Sequence, residues 1–549
     1  MKKKNNTSIP SSPYFYDHAG ENHVFSKQEI FRGILIVGTT LLIYSLFSYS
    51  TLFLKSYSEV DSFEEPSLLM PQTETVTSYY DALLKAPLII SQTAIVGVVF
   101  SHIFFQRVIR NRIQLSRNRD NSSTEIIDDV NSYLRPLKQL LIILLSCGIA
   151  ILLSATFLLL LQAISLSSEL DMDISTTFAI LSSTPVGPVW NIRVVTSLII
   201  IASSILYYLF EKRSLVKRYQ TGLESNDSSH SPPHRKAGKK GGIVVLSNSL
   251  LYIIMLAGAV SIFSNSMVSH NTALSFLPSL AITMDWLHFI AVSIWLGGLF
   301  YGSSILLMMI RLSIRKNGNI DGTANKSLNV KTIRNTSYFL ALLLPYFSLI
   351  ATISLGIIGV TGLYMAWIHL HTAEAIFTSS YGNILTIKLL LILPMVILGG
   401  YHQIKLHDSL MMVASLGKGG QEQQEEKINV HDTESSNDRK STLSLQHDPS
   451  IKFSKTIKIE SLIGIGVLVA ASFLTITSPP SISLQESLST ESSLGEESSQ
   501  QDYTPLFDSF TILAIILSVA VLSGSIIYFK KSKKQVRDTI TLFEGLGNK

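Results

Sequence analysis

The sequence predicts an all-α, polytopic bundle of about ten membrane-spanning helices with both termini on the cytoplasmic side. Three observations carry this. Of 549 residues, 47% are hydrophobic and only 15% are charged, whereas soluble chains carry about a quarter charged residues. The charges gather in stretches between long apolar runs, and a span needs about 20 mostly apolar residues. Lipid offers backbone amides no partners, so such runs form helices.

The runs fall at roughly 30–54, 87–109, 137–165, 189–210, 243–264, 284–310, 340–368, 383–404, 459–478 and 508–529. Lys2, Lys3 and Lys4 precede the first, and no small-residue cleavage site follows it, so it reads as a retained signal anchor. Positive charge in loops stays cytoplasmic. Arg107, Arg110, Arg112, Arg117 and Arg119 crowd the second connection. Lys212, Arg213, Lys217 and Arg218 open the fourth, Arg311, Arg315 and Lys316 the sixth, and Lys530 and Lys531 follow the last run. By contrast, Glu169, Asp171 and Asp173 lie between the third and fourth runs. Glu486, Glu491, Glu496 and Glu497 lie between the ninth and tenth, with no Lys or Arg. An odd number of helices would break this alternation.

The chain then divides into a cytoplasmic tail (1–29), a front membrane region (30–242), a membrane core (243–478), an external Ser/Glu-rich loop (479–507) and a last span with a basic cytoplasmic tail (508–549). Within the core, 408–455 is rich in Gln, Glu, Ser and Asn and reads as a disordered cytoplasmic linker. The first external loop, 55–86, is too short for an ordinary independent domain. Cys147 stands alone in an apolar run, which excludes a disulfide framework and a Cys-x-x-Cys metal site. It reads as a small packing residue. No Gly-x-x-x-x-Gly-Lys-Ser/Thr motif or nucleotide-hydrolysing domain is visible. The chain therefore reads as a non-enzyme among membrane lipid, without nucleotide or nucleic acid.

Two segments share a layout: "TPVGPVWNIR" (184–193) and "SSYGNILTIK" (379–388). Each has a glycine at a loop-to-helix turn and a basic residue, Arg193 or Lys388, six positions on. A cation just inside a span needs a partner, or it snorkels to the interface. The echo suggests an internal duplication.

The sixth run contains "MDWLHFIAVSIWLGGLFYGSS" (284–304), whose first turn carries Asp285 and His288. Their spacing of three puts them on one face. In the predicted topology this helix runs inward, so both stand at its external end. Trp295 and Gly302 follow His288 at seven-residue steps, with Ala291 and Gly298 beside them, and Gly297 follows Trp295 at two positions. Gly298 and Gly302 form a Gly-x-x-x-Gly pair that admits a neighbouring helix. An early Asp also simply complements the helix dipole.

Other candidate ligands share that side. Met284 opens the sixth helix, His270 and Met267 lie in the preceding loop, and Met365, His369, His371 and Glu374 end the seventh. Tyr364 and Trp367 there also fit an interfacial aromatic belt. Imidazole with thioether suits copper. His102 in the second run reads as buried and hydrogen-bonded, whereas His402 and His407 read as interfacial.

These residues resemble the copper resistance D (CopD) family of integral membrane proteins. The resemblance rests on "DWLHFIAVSIWLGGL" (285–299), "FSLIATISLGIIGVTGLY" (347–364), "TSSYGNILTIKLLLIL" (378–393) and "IKIESLIGIGVLVAASFLTITSPP" (457–480), in the family's order. The family's elements correspond to Asp285, His288, Trp295, Gly297 and Gly298, then Thr361 and Gly362, then Tyr381, Gly382 and Lys388, then Glu460 opening the ninth helix. The resemblance implies copper handling in the cell membrane, most often uptake from an external copper carrier called CopC. No segment suits a fused CopC-like β-domain, so a separate carrier or direct delivery is implied. His371 and His369 do not map onto the family's elements, so their ligand role rests on local chemistry.

The resulting expectation is copper-ion transport, in the import direction, with capture at an external His/Asp site. Two other readings stay open. Histidines on adjacent helices at one depth also suit a membrane haem-binding, electron-transfer or oxidase-assembly protein. A copper-responsive scaffold without transport, acting through the linker, is the third.

Overall fold

The computed structural model describes residues 77–117, 130–184, 186–227, 240–270, 278–308, 325–370, 374–410 and 449–481, with scattered positions between 516 and 537. Apart from the end of the first helix, they belong to one compact unit, 75–107 with 120–549. Among them there is no strand. The protein is an all-α, multi-pass membrane bundle. Eight of the described helices are long and apolar enough to cross a membrane. The predicted first span, 30–54, lies outside the described residues, and the tenth is described only at scattered positions, all helical.

The helices are α1 (Thr77–Arg117), α2 (Val130–Leu170), α3 (Ile174–Ser183), α4 (Val186–Asp227) and α5 (Lys240–Ser266), followed by α6 (Pro278–Tyr301), α7 (Asn325–Leu370), α8 (Ala375–Thr378), α9 (Ser380–Tyr401) and α10 (Pro449–Leu474). A π-helical turn prolongs α6 over Gly302–Leu306 and another prolongs α9 over His402–Leu406. Such turns are rare and appear mostly as bulges within α-helices.

Two expected boundaries change. Residues 77–86 are not loop but the start of α1. They are too polar to register as part of the apolar run, yet Asp81 and Lys85 lie four apart on one helical face and interact. The described ends of the expected linker, 408–410 and 449–455, are helical as well.

The order long, long, short, long, long occurs twice, as α1–α5 and as α6–α10. Each short helix ends at a turn whose glycine has no room for a side chain. A Cβ on Gly187 would strike the backbone of Ser182, and one on Gly382 would strike the carbonyls of Ala375 and Ile376. The two segments that echo in the sequence therefore perform the same turn in two successive units. Because each unit contributes four spans, α1 and α6 run in the same direction.

Those two helices cross backbone to backbone. A Cβ on Gly97 would collide with the Ser293 carbonyl and Gly297, and one on Gly297 with Gly97. Close approach of this kind is what small residues permit where lipid supplies no hydrophobic drive. The expected Gly298–Gly302 seam instead serves two neighbours: Gly298 receives the Phe347 ring of α7, and Gly302 receives Ile457 of α10. Trp295 is buried beside them, and Trp286 donates its indole N–H to the Ala259 carbonyl at 3.1 Å. α1 is central, with 78% of its apolar window buried, against 6% for the span containing α9. The outer face of α9, with Leu389, Leu390, Leu393 and Ile397, is left for lipid.

Candidate functional site

The starts of α1, α4, α6 and α9 and the ends of α5, α7 and α10 meet at one end of the bundle. They enclose a cavity of about 420 Å³. Its walls include Leu88, Leu355, Leu363 and Ile392, and its polar groups are few. Among the sequence-selected ligands, Asp285, His288, His270 and His369 line it, together with Met365, Tyr381 and Lys388. Met284 does not; the next residue along a helix points about 100° away, and Asp285 takes the inward position. His371 lies outside the described residues.

His288 is the best-defined of these groups. It is 6% exposed, and its ring packs over Gly362, where a Cβ would stand 3.3 Å from Cε1. Its Nδ1 lies 3.0 Å from the Thr361 hydroxyl. That hydroxyl donates to the Ile357 carbonyl at 2.7 Å, so toward His288 it accepts. Nδ1 therefore carries the proton and Nε2 presents a lone pair. Nε2 is buried and has no hydrogen-bond partner among the described residues. A histidine held through one ring nitrogen with the other open is the arrangement of a metal-ligating imidazole. Thr361 and Gly362 thus act together on one ring, the hydroxyl fixing its tautomer and the glycine making room for it.

His270 repeats the arrangement. The Thr477 backbone carbonyl holds its ring, while Nε2 is buried without a partner among the described residues. Burial first, and the nearby Lys85 cation second, hold its pKa below the ordinary 6.5. The neutral, lone-pair-bearing form is favoured. His369 is 4% exposed and meets the Tyr381 ring edge-on at 5.8 Å between centroids. Tyr381 in turn sits in an apolar cluster with Leu370 and Ala375, beside a turn capped by Ser379, which accepts the Gly382 N–H at 3.0 Å.

The charged lining extends beyond the expected ligands. Lys388 acts electrostatically on both Asp285 and His288. Arg193 and Lys85 also face the cavity. Arg193 was legible as a cation inside a span; Lys85 was not, because 55–86 reads as loop. Arg193 donates from Nε to the Ser264 hydroxyl at 3.1 Å and from Nη2 to the Asn265 side-chain oxygen at 3.0 Å. Asn265 donates on to Gln92 at 2.6 Å, and Gln92 to the Ser261 carbonyl and hydroxyl, each at 2.9 Å. This chain ties α1, α4 and α5 together under the cavity.

Among the described residues no group of three or more His, Cys, Asp or Glu side chains stands ready to enclose a metal ion. The cavity's candidate ligands come from α6 (Asp285 and His288), the end of α7 (Met365 and His369) and the segment after α5 (His270).

The remaining polar candidates lie toward the opposite end. His102 is buried, with Nε2 receiving Tyr207 at 3.0 Å and Gln106 at 2.8 Å, and Nδ1 meeting Tyr301 at 3.3 Å. His402 and His407 are buried within the protein, at 4% and 6% exposed, because the extension of α9 packs its inner face against α10. His402 donates from Nε2 to Thr456 at 2.6 Å, and Nδ1 stands 3.4 Å from Glu460 Oε2. Glu460 does not open its helix; α10 begins at Pro449 and buries it at 2% exposed. The sequence contained both partners of this pair, but nothing in the spacing across the linker joins them.

Residues 341–431 match the family model described as copper resistance protein D, CopD. The chain carries a CopD-family membrane region. The match covers most of α7 and all of α9, which supply Thr361, Gly362, His369, Tyr381, Gly382 and Lys388. No curated protein and no solved structure matches the chain.

Proposed function

We propose that this protein carries copper across the cytoplasmic membrane in the inward direction, capturing it in the cavity through His288. The observation that carries this reading is a pair of imidazoles lining one cavity, His288 and His270, each held through one side of its ring while its buried Nε2 has no hydrogen-bond partner among the described residues. Asp285 and His369 supplement them, and Met365 adds a thioether suited to the reduced ion. The family's description, copper resistance, supports copper as the cargo.

Charge placement supports the outer position of the cavity. Arg107, Arg135, Lys138, Lys212, Arg213 and Lys405 lie toward the opposite end of their helices, and such residues favour the cytoplasmic side. Ligands drawn from several elements suit transit, since a site that grips too tightly would not release its ion. A separate CopC-like carrier is the natural donor, outside the cell membrane.

Accumulation of copper, zinc and nickel in cells expressing the wild type or His288→Ala tests this. The wild type is expected to raise copper alone, and the variant to return it to the level of cells without the protein. Unchanged copper accumulation by a normally expressed variant would refute the assignment.

A further inference from the structure

The cavity is larger and more positive than a bare copper ion requires. At about 420 Å³ it exceeds one water's ~30 Å³ share of liquid by an order of magnitude, and it falls in the range of small-molecule sites. Among its described lining residues, three cations, Lys85, Arg193 and Lys388, face the single carboxylate of Asp285. Lys388 interacts with Asp285, and Lys85 with Asp81, which is outside the lining. Arg193 has neutral hydrogen-bond partners, Ser264 and Asn265. A guanidinium in a membrane interior calls for a counter-charge, and its planar fork matches a carboxylate. A cavity built only for Cu⁺ or Cu²⁺ would gain nothing from these cations, which repel the ion.

Both four-span units contribute to the lining. Arg193 and Lys85 come from the first, on α4 and α1, while His288 comes from the second, on α6. Lys85 and Arg193 stand close enough to interact with each other. We propose that copper enters the cavity as the chelate of a small organic polycarboxylate, with Arg193 and Lys85 binding the carboxylate and His288 binding the metal. This rests on the copper reading above and names the form in which the ion is taken. The apolar walls fit the carbon skeleton of such a carrier, and the first unit acquires a role that a bare-ion mechanism does not give it.

Equilibrium dialysis of the full chain in lipid nanodiscs tests this, using ⁶⁴Cu²⁺ alone, [¹⁴C]citrate alone and the copper–citrate chelate. Both labels are expected to be retained together, with the chelate bound at least tenfold more tightly than either component. Arg193→Gln should lower chelate binding at least tenfold and, by removing a repelling cation, should not weaken free-copper binding, while Arg193→Lys should restore most of the chelate binding. That rescue separates a charge effect from loss of the Ser264 and Asn265 bonds. His288→Ala should release copper and leave the weak binding of citrate alone in place. If citrate instead strips copper from the protein and no ¹⁴C is retained, the ion binds bare and the chelate proposal is overturned while the copper reading stands. Retention of citrate with no copper in any form would overturn the copper reading and keep an anion site at Arg193. Retention of neither label would overturn both.

Discussion

The histidines at the two ends of the bundle differ in what their nitrogens do. At the end away from the cavity, His102 is saturated by Tyr207, Gln106 and Tyr301, and His402 is engaged by Thr456 on one side and Glu460 on the other. At the cavity end, His288 and His270 each keep Nε2 without a partner among the described residues. An unsatisfied polar atom in an apolar interior costs about 1–3 kcal/mol, a cost that a bound metal ion would remove. The imidazole count along the sequence is blind to this distinction.

The comparison is broken most directly at His288. Replacing it with Ala should abolish copper uptake, measured as cell-associated copper normalised to protein level; retained uptake would refute capture through His288. Next comes Thr361→Val, which keeps shape but removes the acceptor that sets the His288 tautomer. Copper affinity should fall about 10–100-fold, as for other partners of metal-ligating histidines, and a titration of purified protein would read it. An unchanged affinity would mean that the hydroxyl does not orient the ring.

At the other end the same kind of change should act on stability instead. His402→Ala removes the hydrogen bond to Thr456 beside buried Glu460, which costs about 1–3 kcal/mol. The thermal unfolding transition in detergent should shift downward, while copper affinity per folded molecule stays within twofold. A comparable loss of affinity would make the pair part of the ion's route. Midway between the two ends, Gly297→Ala presses a methyl group into Gly97. Overpacking of this kind costs about 1–3 kcal/mol, again visible in the melt. The smallest effect belongs to Met284→Leu, a near-isosteric change at a position off the cavity lining. Copper uptake should be indistinguishable from wild type, and a measurable loss would return Met284 to the ligand set.

How much was legible follows from which interactions are local. The α6 pattern joined Asp285 to His288 because residues three apart share a helical face. The echo between 184–193 and 379–388 pointed to Arg193 and Lys388 at equivalent turns, and both line the cavity. Lys85 was missed because hydropathy begins the span at the first apolar run and the polar start of α1 looks like loop. Pairing of His402 with Glu460 was missed because the contact joins two helices separated by a long polar segment.

The sequence by itself determined the membrane-spanning, all-helical class, since apolar runs of that length have only one way to satisfy their backbone in lipid. It also determined where the imidazoles, carboxylates and cations fall along the spans, and their order from helix to helix. Only the tertiary structure decided which imidazoles were saturated and which left open. Only there did Met284 fall outside the cavity lining, did Gly97 meet Gly297, and did both four-span units contribute side chains to one cavity. Those outcomes depend on how helices pack across distances that no local spacing records.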